Sequence, residues 1–421
     1  MNRLAIKRKA IIIIEDGVGD RLLDKLEGRT PLQAANSPAL DRIACDGICG
    51  LMDPLSPGIR VGTDVGHLAL FGLDPVEDYC GRGPIEARGL NMELQKGDIA
   101  FRANFATVDK KLIVTDRRAG RIRSDTGKLA NSLDGLEIKN ESGKVDVLFS
   151  PATEHRAVLV LRGKGLSAQI SDSDPLAGNA GEKIRKIRPL NNSIEARRTA
   201  DIANSFTEKA LGILNNHPVN KRRRQQNLLP ANAILLRSAG KMKDVQNITQ
   251  KYGIKVACIT AESTVKGVAR MAGFDVYSKP GMTANLDTDV MLKGNLALEI
   301  LSEYDLIFIH VKGTDLNGHD NQPLGKVKMI ENVDKMVALL WERTEDDIYI
   351  GLTSDHTTPC EAKIHTGEPV PVAINGPGVR RDRVRFYNEI DCASGGLNRI
   401  TGMDFFRIIV NYMGVNEKCG S

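Results

Sequence analysis

Short segments in which nearly every residue is apolar recur along this sequence, and they limit its fold more than any other feature. Strands that are covered on both faces of a parallel sheet have this composition, whereas half-exposed strands alternate apolar and polar residues. Six such segments lie at 10–14, 233–236, 256–259, 306–311, 348–352 and 370–374. Between the fourth and fifth, a helix-like apolar stripe is formed by Val327, Ile330, Val333, Met336, Leu340 and Trp341. Strands that alternate with helices predict an α/β fold whose largely parallel sheet is sandwiched by helices.

The length of the chain and a change in its composition predict two domains. Its 421 residues exceed the usual size of a single hydrophobic core. From about residue 95 to residue 240 the sequence is richer in arginine and carries several clusters of turn-forming residues. We therefore predict one domain made of residues 1–94 and 241–421, and a smaller inserted α/β or α+β domain of residues 95–240.

The charge and hydropathy of the chain argue against some classes of partner. The formal net charge of +5 is mild, and it suits an enzyme whose substrate is a small polyanion. The basic run from Lys221 to Arg224 has no aromatic residues among its charges, which favours a solvated loop over nucleic-acid binding. No apolar stretch approaches the roughly 20 residues of a membrane span, and no signal peptide is evident. We expect a cytoplasmic protein that binds neither nucleic acid nor membrane, and the sequence leaves a homo-oligomer open.

Three of the apolar segments are followed by side chains of the types that bind metal ions. These side chains are Asp16 after the first segment, Asp315 and His319 after the fourth, and Asp355, His356 and His365 after the fifth. A single aspartate at the end of a strand is more often a turn former or a helix cap. Three strand ends with the same pattern favour a shared site, because ligands bind beyond the carboxyl ends of the strands in open parallel sheets.

Such a cluster predicts a pair of metal ions. Clustered carboxylates repel one another unless a cation neutralises them. Mixed oxygen and imidazole ligands suit divalent manganese, cobalt or zinc better than calcium. The ligands are numerous enough for two ions, and paired ions about 4 Å apart stabilise the attacking and leaving oxygens in phosphoryl transfer. The residue types therefore point to a two-metal phosphoryl-transfer enzyme.

Thr63 is the candidate nucleophile of this reaction. It follows Gly62 and precedes an apolar stretch at residues 68–71 that has the character of a helix. A hydroxyl group at a helix N-terminus lies in positive potential, which favours its ionised form. The alternative is that Thr63 is only the N-cap of that helix.

Longer segments of the sequence resemble one enzyme family. These segments lie at 28–32, 81–86, 101–107, 116–121, 315–320 and 353–372, and the resemblance extends over most of the chain. On these residues the sequence resembles the archaeal-type 2,3-bisphosphoglycerate-independent phosphoglycerate mutases of the alkaline phosphatase superfamily. The resemblance implies an alkaline-phosphatase-like core, with an inserted domain that binds the substrate and acts as a lid.

The resemblance also implies roles for individual residues. One divalent ion would be held by Asp315, His319 and His365, and the other by Asp16, Thr63, Asp355 and His356. Lys266 resembles the family lysine that contacts the transferring phosphoryl group. The residues implied to bind the carboxylate and phosphate of the substrate are Arg117, Arg118, Arg121, His155, Arg156 and Arg237. Lys312 is a further candidate for this pocket, and the alternative for it is a salt bridge with a metal-binding aspartate.

The implied activity is an isomerase reaction that interconverts 2-phosphoglycerate and 3-phosphoglycerate in glycolysis and gluconeogenesis. The family normally has a serine nucleophile, and here Thr63 would carry the phosphoryl group as a phosphothreonine. We expect Mn²⁺ in both sites, with Co²⁺, Mg²⁺ or Zn²⁺ as alternatives, and no requirement for 2,3-bisphosphoglycerate. Two other functions stay open. One is a different phosphatase or phosphotransferase of the superfamily that acts on a small phosphorylated metabolite, and the other is a binding paralogue without catalysis.

Overall fold

The chain forms two compact units in a computed structural model that describes residues 8–140, 143–175, 181–344, 347–416 and 418. The first unit contains the chain up to Tyr79 and the chain from Val245 onward, and the second unit is Cys80–Asp244. The limits predicted for the insert, residues 95 and 240, both lie inside this second unit.

Fourteen strands form two sheets within the described residues. In chain order they are β1 (Ala10–Glu15), β2 (Ile48–Asp53), β3 (Ile99–Val108), β4 (Val114–Asp116), β5 (Glu137–Asn140), β6 (Gly143–Pro151), β7 (Arg156–Arg162), β8 (Ala233–Lys241), β9 (Val256–Ile259), β10 (Asp275–Tyr277), β11 (Leu306–Val311), β12 (Tyr349–Thr353), β13 (Val370–Asn375) and β14 (Asn398–Thr401).

The helices connect these strands and cover their faces. In chain order they are α1 (Pro31–Ala34), α2 (Pro38–Cys45), α3 (Thr63–Leu70), α4 (Arg82–Gly89), α5 (Thr126–Asn131), α6 (Ile194–Asn216), α7 (Pro218–Gln225), α8 (Ile248–Tyr252), α9 (Ser263–Met271), α10 (Val290–Ile300), α11 (Gly313–His319), α12 (Pro323–Arg343), α13 (Glu389–Cys392) and α14 (Gly402–Tyr412), with a short 3₁₀ helix at Asp24–Leu26. None of the described helices, α6 and α12 included, carries an apolar stretch of the length that a bilayer crossing requires.

The sheet of the first unit has eight strands in the order β10-β9-β11-β1-β12-β13-β2-β14. All neighbouring pairs are parallel except those made by β13, so the predicted α/β fold with a largely parallel sheet is confirmed. The predicted parallel direction of segment 370–374 is wrong, because β13 runs antiparallel to both of its neighbours. Residues 354–369, which are all described, contain no crossover helix, and without a crossover the chain returns antiparallel.

The second unit is built on a six-stranded antiparallel sheet in the order β4-β3-β7-β6-β5, with β8 paired to the other edge of β3. The prediction that segment 233–236 forms a parallel strand is therefore wrong, because β8 runs antiparallel to β3. This segment is part of β8, which packs against both α4 and α6. A strand that is covered by helices reads as a continuous apolar run whatever its direction, and this is why the pattern misled the prediction.

The basic run of the second unit is helical, so the prediction of a loop is wrong. Arg222, Arg223 and Arg224 occupy the last turn of α7, where cations interact favourably with the helix dipole. Arg222 binds the carboxylate of Asp125 at 2.7 Å, Arg223 donates to the carbonyl oxygens of Leu229 and Ala119, and Arg224 donates to Asn215. The three charges therefore bind their own unit.

A fully buried lysine joins two loops at the carboxyl edge of the first sheet. Lys326, on α12, donates from Nζ to the carbonyl oxygens of Gly19 and Thr358 at 3.0 and 2.9 Å. The same ammonium group lies 2.9 Å from Oδ2 of Asp20, which is also buried. One charged group therefore satisfies acceptors that follow β1 and β12, and it fixes both loops relative to α12.

Lys326→Met should lower the free energy of unfolding by about 3–5 kcal/mol, because it leaves the Asp20 carboxylate buried without its cation. The change can be measured by urea denaturation followed by the fluorescence of Trp341, the single tryptophan, which also lies on α12. The matched control is Lys328→Met, which removes an exposed ion pair with Glu331 from the same helix. We expect less than about 1 kcal/mol for this control. Equal losses in the two variants would contradict the structural role of Lys326.

Candidate metal and phosphoryl-transfer site

The carboxyl ends of three adjacent strands bring the predicted metal ligands together. The strands β11, β1 and β12 lie side by side at the centre of the first sheet. Asp16 follows β1, Asp315 lies in the first turn of α11 directly after β11, and Asp355 and His356 follow β12. All four side chains are at most 2% exposed. The sheet thus gathers side chains that are up to 340 residues apart in the sequence.

Asp315, His319 and His365 form the first ligand group. The Nδ1 atoms of His319 and His365 lie 2.8 Å from the carbonyl oxygens of Lys363 and Val61, so each Nδ1 carries a proton and donates it. In the neutral rings both Nε2 atoms then present lone pairs. These atoms lie 3.2 Å from each other, and each lies 3.4 Å from Oδ1 of Asp315.

Asp16, Asp355 and His356 form the second ligand group. The Thr358 hydroxyl donates to Oδ1 of Asp315 at 2.8 Å, so it accepts from Nδ1 of His356 at 3.0 Å. This leaves a lone pair on Nε2 of His356. That atom lies 3.4 Å from Oδ1 of Asp16 and 3.3 Å from Oδ2 of Asp355.

Both groups therefore have the donor set that divalent cations require. Lone pairs of imidazole and carboxylate that face one another at 3.2–3.4 Å repel each other unless a positive charge lies among them. Ligand atoms of Asp315, His356 and His365 lie within 4.8 Å of one another, and so do those of Asp16, Asp355 and His356. His356 is common to both sets, which the family resemblance did not imply, and it places the two candidate cation sites side by side.

Thr63 lies at the boundary of the two groups. It is the first residue of α3, and it is 7% exposed. Its hydroxyl oxygen lies 3.3 Å from Nε2 of His356 and 3.3 Å from Nζ of Lys312. The N-terminal end of the helix adds positive potential at this oxygen. The N-cap of α3 is Gly62, so the alternative prediction that Thr63 is only the N-cap is wrong.

Two glycines allow this close assembly. Gly66 on α3 packs so tightly on Asp355 that a Cβ atom would lie 2.9 Å from the Cβ of Asp355 and would overlap its carbonyl oxygen. Gly17 has a φ of +63°, and a Cβ there would lie 2.9 Å from Oδ1 of Asp315. Both positions therefore need glycine to bring Thr63 and Asp16 next to the ligands.

Lys312 forms the salt bridges that were one of its two predicted roles. Its ammonium group lies 2.9 Å from Oδ2 of Asp16 and 2.7 Å from Oδ2 of Asp315. Burial alone would lower the pKa of Lys312, but these two carboxylates raise it above its ordinary value. Burial and the nearby Asp355 raise the pKa of Asp16 to about 6, although Lys312 opposes this rise. The carboxylates thus carry more negative charge than one lysine neutralises, which again favours cations in the site.

Comparison with known proteins decides the family. Over 414 residues the chain is 45% identical to the 2,3-bisphosphoglycerate-independent phosphoglycerate mutase 1 of Methanothermobacter thermautotrophicus, a match that covers 98% of this chain and 100% of the relative. The chain belongs to the 2,3-bisphosphoglycerate-independent phosphoglycerate mutase family. The model of this family matches residues 44–220.

Solved structures support the assignment to the family along the whole chain. The cofactor-independent phosphoglycerate mutase of Thermoplasma acidophilum superposes with a TM-score of 0.73 at 35% identity, covering 97% of this chain and 100% of its own. A protein of Pyrococcus horikoshii superposes with a TM-score of 0.83, also at 35% identity, and covers 99% of this chain and 100% of its own.

In this family member, the second unit contains a dense arginine cluster. Burial lowers the pKa of Arg102, and the charges of Arg237, Arg82 and Arg156 lower it further, although Glu86 at 3.3 Å opposes them. Within the described residues, Nε of Arg237 is buried without a hydrogen-bond partner. Arg102 and Arg237 are half-buried, whereas Arg82 and Arg156 are exposed. Neighbouring positive charges repel one another, and a polyanion would relieve this repulsion.

The other predicted substrate residues of the second unit extend this cluster. Burial lowers the pKa of His155, and the neighbouring charges of Arg156, Arg118 and Arg121 lower it further. Arg117 forms a bidentate pair with the buried carboxylate of Asp174, at 2.8 and 2.5 Å. The fork of Arg117 is therefore already occupied by a protein carboxylate, whereas the side chains of Arg118, Arg121 and Arg156 are exposed to solvent.

Lys266 lies on α9, which packs against α3, the helix that begins with Thr63. Burial and the charge of Arg270 lower the pKa of Lys266. Among the described residues, no hydrogen bond or ion pair joins Lys266 to the metal-binding side chains. Its predicted contact with the phosphoryl group therefore stays a prediction.

The sequence analysis missed four residues. His310 and His67 lie beside the ligand groups, and Arg82 and Arg102 belong to the arginine cluster of the second unit. His310 lies 2.8 Å from Oδ2 of Asp16, and His67 donates from Nδ1 to the carbonyl oxygen of Thr63 at 2.8 Å. His310 could have been found as a polar residue inside an otherwise apolar strand. His67 could have been found by its position one helical turn after Thr63. The other two residues, Arg82 and Arg102, lie in segments 81–86 and 101–107, which carried the family resemblance but were given no role.

Proposed function

We propose that this protein is a phosphoglycerate mutase that interconverts 2-phosphoglycerate and 3-phosphoglycerate through a phosphothreonine at Thr63. The observation that carries the proposal is the position of the Thr63 hydroxyl, 3.3 Å from both His356 and Lys312, between two ligand groups that call for divalent cations. The relative from Methanothermobacter thermautotrophicus bears the name of this activity. Threonine differs from the family serine by a methyl group that restricts χ1 but leaves the nucleophilic oxygen.

The proposed reaction consists of two phosphoryl transfers in opposite directions. Oγ1 of Thr63 loses its proton and bonds to phosphorus, while the bond from phosphorus to the glycerate oxygen breaks and that oxygen takes a proton. Glycerate then turns, and its other hydroxyl gives its proton to a base and bonds to phosphorus. The bond from phosphorus to Oγ1 of Thr63 breaks, and Oγ1 takes a proton, which restores the Thr63 hydroxyl. Divalent ions, when bound, would lower the pKa of the Thr63 hydroxyl and stabilise the charge on the phosphoryl oxygens.

The residues of the chain supply positioning and charge in this scheme. The Lys312 ammonium at 3.3 Å stabilises the developing alkoxide of Thr63, and Lys266 is proposed to contact the phosphoryl oxygens. Asp116 and Asp172 are the candidates for the acid and base that serve the glycerate hydroxyls. Burial raises the pKa of Asp172, which suits a group that must hold a proton.

The second unit is proposed to bind glycerate and to act as a lid. Its arginine cluster, with His155, suits the carboxylate of the substrate, because guanidinium groups pair bidentately with carboxylate and phosphate oxygens. A mutase must keep water away from its phosphoenzyme, since hydrolysis would make it a phosphatase. We place the reaction in glycolysis and gluconeogenesis, and therefore in the cytoplasm.

The phosphothreonine can be tested directly. Protein quenched with acid during turnover of 3-phosphoglycerate should carry one phosphate on the peptide that contains Thr63, detected by mass spectrometry. An unlabelled Thr63, or phosphate on another residue, would count against the scheme. An enolase-coupled assay, run beside an assay for free phosphate, separates mutase from phosphatase activity. Release of phosphate as the main product would favour the phosphatase alternative.

The identity of the metal ions is part of the proposal. Oxygen and imidazole ligands together favour Mn²⁺, with Co²⁺, Mg²⁺ and Zn²⁺ as alternatives. Protein stripped with a chelator should lose the mutase activity and regain it on addition of the physiological ion. The four ions are compared by activity and by the number of ions bound per chain, for which we expect two.

A further inference from the structure

A directed chain of hydrogen bonds runs from the N-terminus of α9 to the Asp16 carboxylate. The backbone N–H of Glu262 donates to Oγ1 of Thr260 at 3.2 Å. Thr260 Oγ1 lies 3.1 Å from Nδ1 of His310, and Nε2 of His310 lies 2.8 Å from Oδ2 of Asp16. Thr260, His310 and Asp16 are each at most 1% exposed, so water does not compete for these contacts.

The partners leave one arrangement of protons in this chain. An ionised carboxylate only accepts, so Nε2 of His310 donates to Asp16. In the neutral ring, Nδ1 then carries a lone pair that can accept a hydrogen bond. Thr260 then donates its hydroxyl proton to Nδ1 and accepts the N–H of Glu262. Every donor therefore points toward Asp16.

Further hydrogen bonds fix the backbone at both ends of this chain of hydrogen bonds. His310 lies on the central strand β11, in register with Ile14 of β1, two residues before Asp16. Its carbonyl oxygen accepts from Nζ of Lys293 at 2.7 Å, and Lys293 is 1% exposed. At the other end, Glu262 is the N-cap of α9, because its side chain accepts from the N–H of Val265. The chain of hydrogen bonds thus connects the strand that leads to Asp16 with the helix that carries Lys266.

We propose that His310 and Thr260 are positioning residues that orient Asp16 for cation binding. By holding Oδ2, they turn Oδ1 toward Nε2 of His356, 3.4 Å away, where the second ligand group takes its cation. The proposal rests on the proposed two-metal function. It adds a physical link between the second ligand group and α9. Removal of a group that hydrogen-bonds to a metal ligand typically lowers the metal affinity by about 10–100-fold.

The proposal is tested by Mn²⁺ binding to the full chain, measured by equilibrium dialysis with metal analysis. His310→Phe keeps the aromatic bulk but removes the donor, and the affinity of one of the two ions should fall by about 10–100-fold. In His310→Gln the side-chain amide nitrogen replaces Nε2, so most of the affinity should return. Thr260→Val is isosteric, and it should weaken the same ion by less than His310→Phe does.

The matched control is Thr199→Val, since Thr199 is an equally buried threonine of α6 in the second unit. It should leave both Mn²⁺ affinities unchanged while its loss of thermal stability resembles that of Thr260→Val. Unchanged affinity in both His310→Phe and Thr260→Val would overturn the proposal. If His310→Phe does not fold, unchanged affinity in Thr260→Val alone overturns it. Wild-type protein that binds no Mn²⁺ would instead refute the proposed function, so the two failures are distinguishable.

Discussion

Thr63→Val should lower the rate of phosphoglycerate interconversion by about 10⁴-fold or more, while the protein keeps its fold. Valine retains the shape and the β-branch of threonine and removes only the hydroxyl group. The reaction then lacks the oxygen that accepts the phosphoryl group, and removal of a nucleophile leaves only the catalysis that binding and electrostatics provide. The rate is measured with the enolase-coupled assay, and folding by circular dichroism and thermal melting.

The controls separate the chemistry of the hydroxyl from the packing of the site. Thr63→Ser introduces the nucleophile that the family resemblance implies, and it should retain at least the wild-type rate, since it keeps the hydroxyl and removes a methyl group beside it. Acid-quenched Thr63→Val should show no phosphorylated peptide at this position. A valine variant that keeps more than about a hundredth of the wild-type rate would exclude Thr63 as the nucleophile.

His356→Ala should abolish activity to a similar degree and weaken the binding of both divalent ions. Ligand atoms of His356 lie within 4.8 Å of those of Asp315 and His365 on one side and of those of Asp16 and Asp355 on the other. Loss of His356 removes an imidazole ligand atom from both sets, so we expect weaker binding of both ions and a fall in kcat of about 10³-fold or more. The measurements are the Mn²⁺ content after dialysis and the rate at saturating Mn²⁺.

Two other histidines serve as comparisons for this variant. His319→Ala removes a member of the first ligand group only, so it should weaken one ion and leave the other near its wild-type affinity. His217→Ala changes a histidine at the start of α7 in the second unit, and it should change neither ion. Loss of a single ion in His356→Ala, with the other bound normally, would show that His356 serves one site alone.

The location of the ligand groups could be predicted from the sequence because it depends on local pattern. A run such as residues 306–311 is apolar at every position except His310, and this composition marks it as a buried strand. Side chains that follow such strands gather at one edge of a parallel sheet, whatever their separation along the chain. Asp16, Asp315 and Asp355 meet for this reason, and their chemistry with the histidines points to cations.

Other features depend on partners that no local pattern reveals. The apolar run 370–374 has the composition of a parallel strand, but its direction is decided by the connection at 354–369, which forms no crossover. The role of His310 depends on Thr260 and Asp16, which lie 50 and 294 residues away. The two roles of Lys312 were equally compatible with the sequence, and the distances to two carboxylates show the salt bridges.

The sequence by itself determined that this chain forms a largely parallel α/β sheet and that its acidic and imidazole ligands lie at one edge. It could do so because burial imposes composition on each strand, and because strand ends are positions that can be read locally. Only the tertiary structure decided that His356 lies close to ligand atoms of both groups, that the Thr63 hydroxyl lies 3.3 Å from Lys312, and that Nε2 of His310 lies 2.8 Å from Asp16. These contacts join residues from separate strands and helices, so their distances depend on how the whole first unit packs.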